Sequence, residues 1–146
     1  MFGRDYGLVE EFMMDDADIA LVTVGATTGT AREAVKRMRS EGKNVGLIKI
    51  RCLRPFPIDY FQSLAGRVKR LAVLDRSMPT GQIGQIATDI MAALHGVDGS
   101  PEVYSFIAGI GGREITMDAI EHAADRTLRG EKPKYAEWLS LKKELV

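Results

Sequence analysis

Four short apolar runs constrain this chain most: "IALVTV" at 19–24, "VGLIKI" at 45–50, "LAVLD" at 71–75 and "VYSFIA" at 103–108. Each is almost continuously hydrophobic, as strands covered on both faces must be, and each is followed by a segment with helical periodicity. Strand and helix alternating four times implies right-handed crossovers and an α/β domain of three layers, α/β/α. A doubly wound sheet is the natural result.

The helical segments carry their own signals. In "TAREAVKRMRSEG", Ala31, Ala34, Val35 and Met38 share one face, Thr30 and Glu33 have capping-box spacing, and Gly42 stands where a left-handed terminating residue belongs. "PIDYFQSLAGRV" opens with Pro57 and repeats Ile58, Phe61, Leu64 and Val68. A third helix carries Ile83, Ile86, Ile90 and Leu94, and a fourth carries Ile120, Ala123, Ala124 and Leu128 after a Thr116 cap. Residues 1–146 are read as a single domain with a core of about 17–129. The ends do not fit the repeat: residues 6–14 read as a short lead-in helix, and 130–146 as a tail anchored by Trp138, Leu139 and Leu141. Packing of either end at home or on another chain stays open.

Composition excludes several classes of function. Twenty basic residues cancel twenty acidic ones, and no run of Lys and Arg suggests nucleic acid as a partner. No apolar run approaches the roughly 18 residues of a membrane span. The single Cys52 rules out an internal disulfide and any all-cysteine metal or iron–sulfur site, which suits a cytoplasmic setting.

Two glycine loops invite a phosphate-binding reading. In "FIAGIGGREIT", Gly109, Gly111 and Gly112 lie between a strand and a helix, but Glu114 occupies the place of the third fingerprint glycine and no later strand supplies a ribose-binding acid. A tight turn or an interdomain contact, with Gly111, Gly112 and Arg113 at its surface, is the better reading. "TVGATTGTARE" lacks the Lys-Ser/Thr pair of a P-loop. If the first strand lies between the second and third, however, its loop and "DRSMPTGQIG" border the switch point where open α/β sheets hold ligands. Thr27, Thr28, Gly29, Asp75, Arg76 and Gly81 are then the small-ligand candidates, against a plain reading as a helix cap, a salt bridge and a Pro-Gly turn.

"IRCLRPFP" leaves the second strand with Arg51, Arg54 and Phe56 on a chain held extended by Pro55 and Pro57. Arg and aromatic residues favour protein interfaces, so these three are interface candidates. An ion pair with Asp59 or Asp75 is the competing reading. His95, His122 and Cys52 read as structural, and no catalytic triad, metal-ligand set or carboxylate pair can be assembled by local spacing.

The succession "ADIALVTVGATTGTAREAV", "GLIKIRCLRPFP", "LAVLDRSMPTGQIG" and "FIAGIGGREIT" resembles the C-terminal part of the alpha subunit of 2-oxoacid:ferredoxin oxidoreductases, over roughly residues 6–128. The strand followed by R-x-x-R-P is also similar to the C-terminal domains of transketolase-like enzymes. The resemblance implies a transketolase C-terminal-like fold with a mostly parallel sheet of four to five strands, within an enzyme that oxidatively decarboxylates a 2-oxoacid with thiamine diphosphate, Mg, iron–sulfur clusters and coenzyme A. It places none of those cofactors on this chain, which is expected to be an assembly domain, inactive alone. Its partners would be the other subunits, with a homodimer also open. The usual alpha subunit also carries an N-terminal pyrimidine-binding domain, so Met1 would begin a separately encoded domain or a fragment. The alternative is a free-standing module binding a small anion at the first- and third-strand loops.

Overall fold

A computed structural model describes residues 6–80 and 82–139. Three parallel strands come first to notice because the sequence marks them so plainly: Ile19–Val24, Val45–Ile50 and Arg70–Asp75. Counted from the N-terminus the strands are β1 (Val9–Phe12), β2 (Ile19–Val24), β3 (Val45–Ile50), β4 (Arg70–Asp75), β5 (Glu102–Ile107) and β6 (Glu137–Trp138). Their order across one sheet is β1-β3-β2-β4-β5-β6. β2 thus lies between β3 and β4, the condition on which the switch-point reading depended. The transketolase-like three-layer α/β/α class stands, and among the described residues the sheet has six strands instead of four or five.

The helices are α1 (Thr27–Ser40), α2 (Ile58–Gln62), α3 (Gln85–Leu94) and α4 (Met117–Arg129). Because side chains alternate across each strand, one sequence run feeds two cores. Ile19, Leu21, Ala72 and Leu74 pack with Ala31, Val35, Ile120 and Ala123 beneath α1 and α4. Ala20, Val22, Leu71 and Val73 pack with Phe61, Ala87 and Ile90 beneath α2 and α3. Both faces of every central strand are therefore dry, which is why their hydrophobicity is continuous.

The lead-in helix expected over 6–14 is a strand. Val9–Phe12 runs antiparallel to β3, with Val9 opposite Ile50 and Phe12 opposite Leu47. The outer edge of β3 would otherwise leave a row of amides and carbonyls unpaired, and that demand outweighs the helical spacing of Val9, Phe12 and Met13. Positive φ angles at Gly7 and Met13 bracket the strand. The tail also supplies a strand: Glu137 and Trp138 pair with Phe106 and Ile107 of β5, and Leu139 is buried. Leu141 lies outside the described residues.

Three helix readings change. Ile83 precedes α3, which begins at Gln85 after Gly84. α1 begins at Thr27 after an Ala26 cap that offers no side-chain acceptor, so Thr30 sits inside the helix and forms no capping box with Glu33. α2 is only five residues long; the pattern of 57–68 continues as turns through Gly66 at φ +75°, burying Phe61, Leu64 and Val68 but leaving Ile58 exposed. The Thr116 cap of α4 is present, its hydroxyl accepting from Ala119 N.

Candidate functional site

The carboxyl ends of β2, β3 and β4 all emerge on one edge of the sheet, and there the chain forms a cleft of about 560 Å³. Val24, Gly25 and Ala26 bring the end of β2 and the start of α1 to it. Leu53 and Arg54 come from the segment after β3, and Leu74, Arg76 and Ser77 from β4 and its loop. Gln85, Ile86 and Asp89 on α3 close the far side. A depression of this size at a topological switch point has the volume of a small-molecule site.

The structure brings Arg54 and Arg76 together here, although the sequence assigned them to different groups. Arg54 donates from Nη1 to Asp89 Oδ2 at 2.9 Å and to Leu53 O at 2.6 Å. Arg76 is exposed and has no hydrogen-bond or ion-pair partner among the described residues. The ion-pair reading for the "IRCLRPFP" segment holds in kind but with other partners than Asp59 or Asp75. Arg51 donates to Glu10 Oε2 at 2.6 Å and to Tyr6 O, so it is clamped onto β1. Phe56 is half-buried, stacked on Phe61 with ring centroids 5.4 Å apart.

The other small-ligand candidates divide. Asp75 is fully buried and accepts from Ile86 N at 2.8 Å and Ala87 N at 3.1 Å, which caps the first turn of α3. Burial raises its carboxyl above the usual range, opposed by those two backbone bonds. Thr28 shares a buried hydroxyl contact of 3.0 Å with Thr23, whereas the buried Thr27 Oγ1 has no hydrogen-bond partner among the described residues. Gly29 is an exposed residue of α1, and Gly81 lies outside the described residues. At the second loop Gly109, Gly111 and Gly112 all take positive φ, with Gly111, Gly112 and Arg113 exposed, the geometry of a tight turn.

Ser77, Gln85, Ile86 and Asp89 were missed by sequence reasoning. Asp89 lies one helical turn after Gln85, at the edge of the buried face of Ala87, Ile90, Ala93 and Leu94, a polar flank that could have been read as facing a neighbour. Its pairing with Arg54, 35 positions away, leaves no local signal. Cys52 is half-buried, its thiol donating to Arg54 O at 3.1 Å, and His122 bonds Glu137 at 2.9 Å, tying α4 to β6. Among the described residues no group of three His, Cys, Asp or Glu side chains could hold a metal, and no helix is long and apolar enough to cross a membrane.

Comparison with known proteins places this architecture. The chain is 42% identical over 144 residues to pyruvate synthase subunit PorA of Methanothermobacter thermautotrophicus; the alignment covers 99% of this chain and 36% of that one. The chain therefore spans little more than a third of that relative's length. Its backbone is similar to 2-oxoglutarate:ferredoxin oxidoreductase from Magnetococcus marinus, with a TM-score of 0.61 and 22% identity over 83% of this chain and 20% of that one. A split-gene transketolase gives the same TM-score of 0.61 at 15% identity, covering 82% of this chain and 41% of that one, so the layered fold is shared more widely than the sequence. The family model for the pyruvate:ferredoxin oxidoreductase core domain II matches residues 17–120, and the chain belongs to that family.

Proposed function

We propose that this chain is the assembly domain of the alpha subunit of a 2-oxoacid:ferredoxin oxidoreductase, an enzyme that oxidatively decarboxylates pyruvate or a related 2-oxoacid. The observation that carries the reading is the similarity to PorA along nearly the whole chain but over only part of that subunit. One domain of a larger catalytic assembly accounts for both. Thiamine diphosphate with Mg, iron–sulfur clusters and coenzyme A belong, on this reading, to other domains. The residues here do not fit a cluster, because one cysteine supplies one thiolate where such centres use about four. The partners are other subunits of a cytoplasmic enzyme, met through Arg54, the segment around Phe56, and the exposed turn at Gly111, Gly112 and Arg113.

The contribution to catalysis would be positional. Misplacing a catalytic group by about 1 Å can cost on the order of 100-fold in rate, so a domain without reacting groups can still set turnover. The test mixes the purified chain with the remainder of an alpha subunit and its partner subunits. Association on a sizing column is expected, with 2-oxoacid-dependent reduction of ferredoxin only in the mixture. Turnover by the chain alone, or failure to associate, overturns the proposal; sedimentation of the chain alone separates a homodimer from assembly with other subunits.

A further inference from the structure

Beyond assembly, and independently of it, we infer that the cleft at the carboxyl ends of β2 and β4 is a binding site for a small organic anion, one carboxylate or phosphate group on an apolar body. The floor and walls are apolar, from Val24, Leu53, Leu74 and Ile86. Of the charged groups lining the cleft, Asp89 is matched by Arg54 at 2.9 Å, and Arg76 is left without a partner among the described residues. The lining thus has two guanidinium groups against one carboxylate, an excess of one positive charge beside an apolar surface.

The geometry of the rim favours the same ligand. Gly25 and Ala26, at the mouth, lead directly into α1, whose first turn contains no acid and whose cap offers no side-chain acceptor. The positive end of a 14-residue helix therefore opens beside Arg76 with no acid in its own first turn to offset it. Arg54, held by Asp89 and by Leu53 O, is fixed as a wall, whereas Arg76 has none of its donors engaged among the described residues and can offer them to an oxyanion. A volume of about 560 Å³ accommodates a small metabolite.

Phenyl phosphate and phenylacetate, each titrated into the 146-residue chain, serve as probes, with inorganic phosphate alongside. Amide NMR shifts at Gly25, Ala26 and Ile86 report the cleft. At least one aromatic probe is expected to saturate in the millimolar range or below and to bind more tightly than inorganic phosphate, and the stronger of the two identifies the phosphate or the carboxylate chemistry. Arg76→Ala should weaken that binding about tenfold or more, as loss of a charge-assisted bond implies. Arg76→Gln, which retains most of the side chain, guards against a folding defect and should weaken binding similarly. Absence of saturable shifts with either probe, unaltered binding in both variants, or inorganic phosphate binding as tightly as the aromatic probes would each overturn the inference.

Discussion

The carboxylate of Asp75 occupies the space in which a side chain at Gly84 would have to stand. A Cβ built on Gly84 would lie 2.6 Å from Asp75 Cβ and closer still to the carboxyl group itself. The backbone at Gly84 has φ −56°, which any residue adopts, so the requirement is for space alone. Gly84→Ala should therefore displace Asp75 from the amides of Ile86 and Ala87 and cost about 2–3 kcal/mol, the upper part of the roughly 1–3 kcal/mol range for an overpacked core. Urea unfolding measures it as a lower midpoint with unchanged slope. A double-mutant cycle with Asp75→Ala should give a combined loss smaller than the sum of the two, since both remove the same cap; strict additivity would disprove the coupling.

Glu10 joins β1 to two other elements, with Arg32 of α1 at 2.5 Å and Arg51 beyond β3 at 2.6 Å. Burial pushes its carboxyl upward, but the hydrogen bonds and charges of the two arginines prevail and hold it below the ordinary glutamate range. A lowered value in the folded state means stability that is present above the unfolded value, about 4.3, and lost as pH falls through the folded one. Glu10→Gln should cost about 1 kcal/mol at neutral pH, allowing for the partial exposure of all three groups. The gap between variant and parent should close on acidification; a gap constant with pH would mean that the charge of Glu10 contributes nothing.

Legibility in the sequence followed the range of the interactions. The strands at 19–24 and 45–50 were readable to the residue because burial on both faces writes itself into consecutive positions. β1 was not, because what makes Val9–Phe12 a strand is the open edge of β3, some 38 positions on by the Phe12–Leu47 and Val9–Ile50 register, and nothing within the segment declares it. The cleft was half legible: Arg76 followed from the switch-point rule, while Asp89 and the closeness of Gly84 to Asp75 depend on how α3 returns over the sheet. Arg51 and Phe56 carry an ion pair and an aromatic stack within this domain, contacts that residue type alone does not announce.

Glycines at two positions should respond in opposite directions. Gly112 has φ +75° with open space around it, so a substitution meets no atom but forces a β-branched residue into the left-handed region. Gly112→Val should cost about 1–2 kcal/mol. Gly29, in the helical stretch of α1 with nothing within 4 Å of a new Cβ, has ordinary geometry, and Gly29→Ala should stabilise by about 0.5–1 kcal/mol. Thermal melts of the two variants bracketing the parent would bear this out; the same sign for both would refute the distinction.

Arg54 separates a role in assembly from a role in folding. Its side chain is 61% exposed, and its pair with Asp89 is a surface pair of the kind that contributes at most about 1 kcal/mol. Arg54→Ala should therefore lower the melting temperature only slightly. If the segment after β3 meets a partner subunit, the same change removes a guanidinium from a surface flanked by Pro55 and the half-buried Phe56, where truncating an anchoring arginine costs about 2 kcal/mol or more of binding, roughly 30-fold in Kd. Asp89→Ala provides the control: it frees Arg54 without removing it, so it should leave association intact or strengthen it while producing a similar small loss of stability. Titrating parent and variants against the remaining alpha-subunit domains, with melts run in parallel, reads both effects. A large fall in melting temperature with unchanged association for Arg54→Ala would make the arginine a structural element of this domain and move the interface to the turn at Gly111 and Gly112.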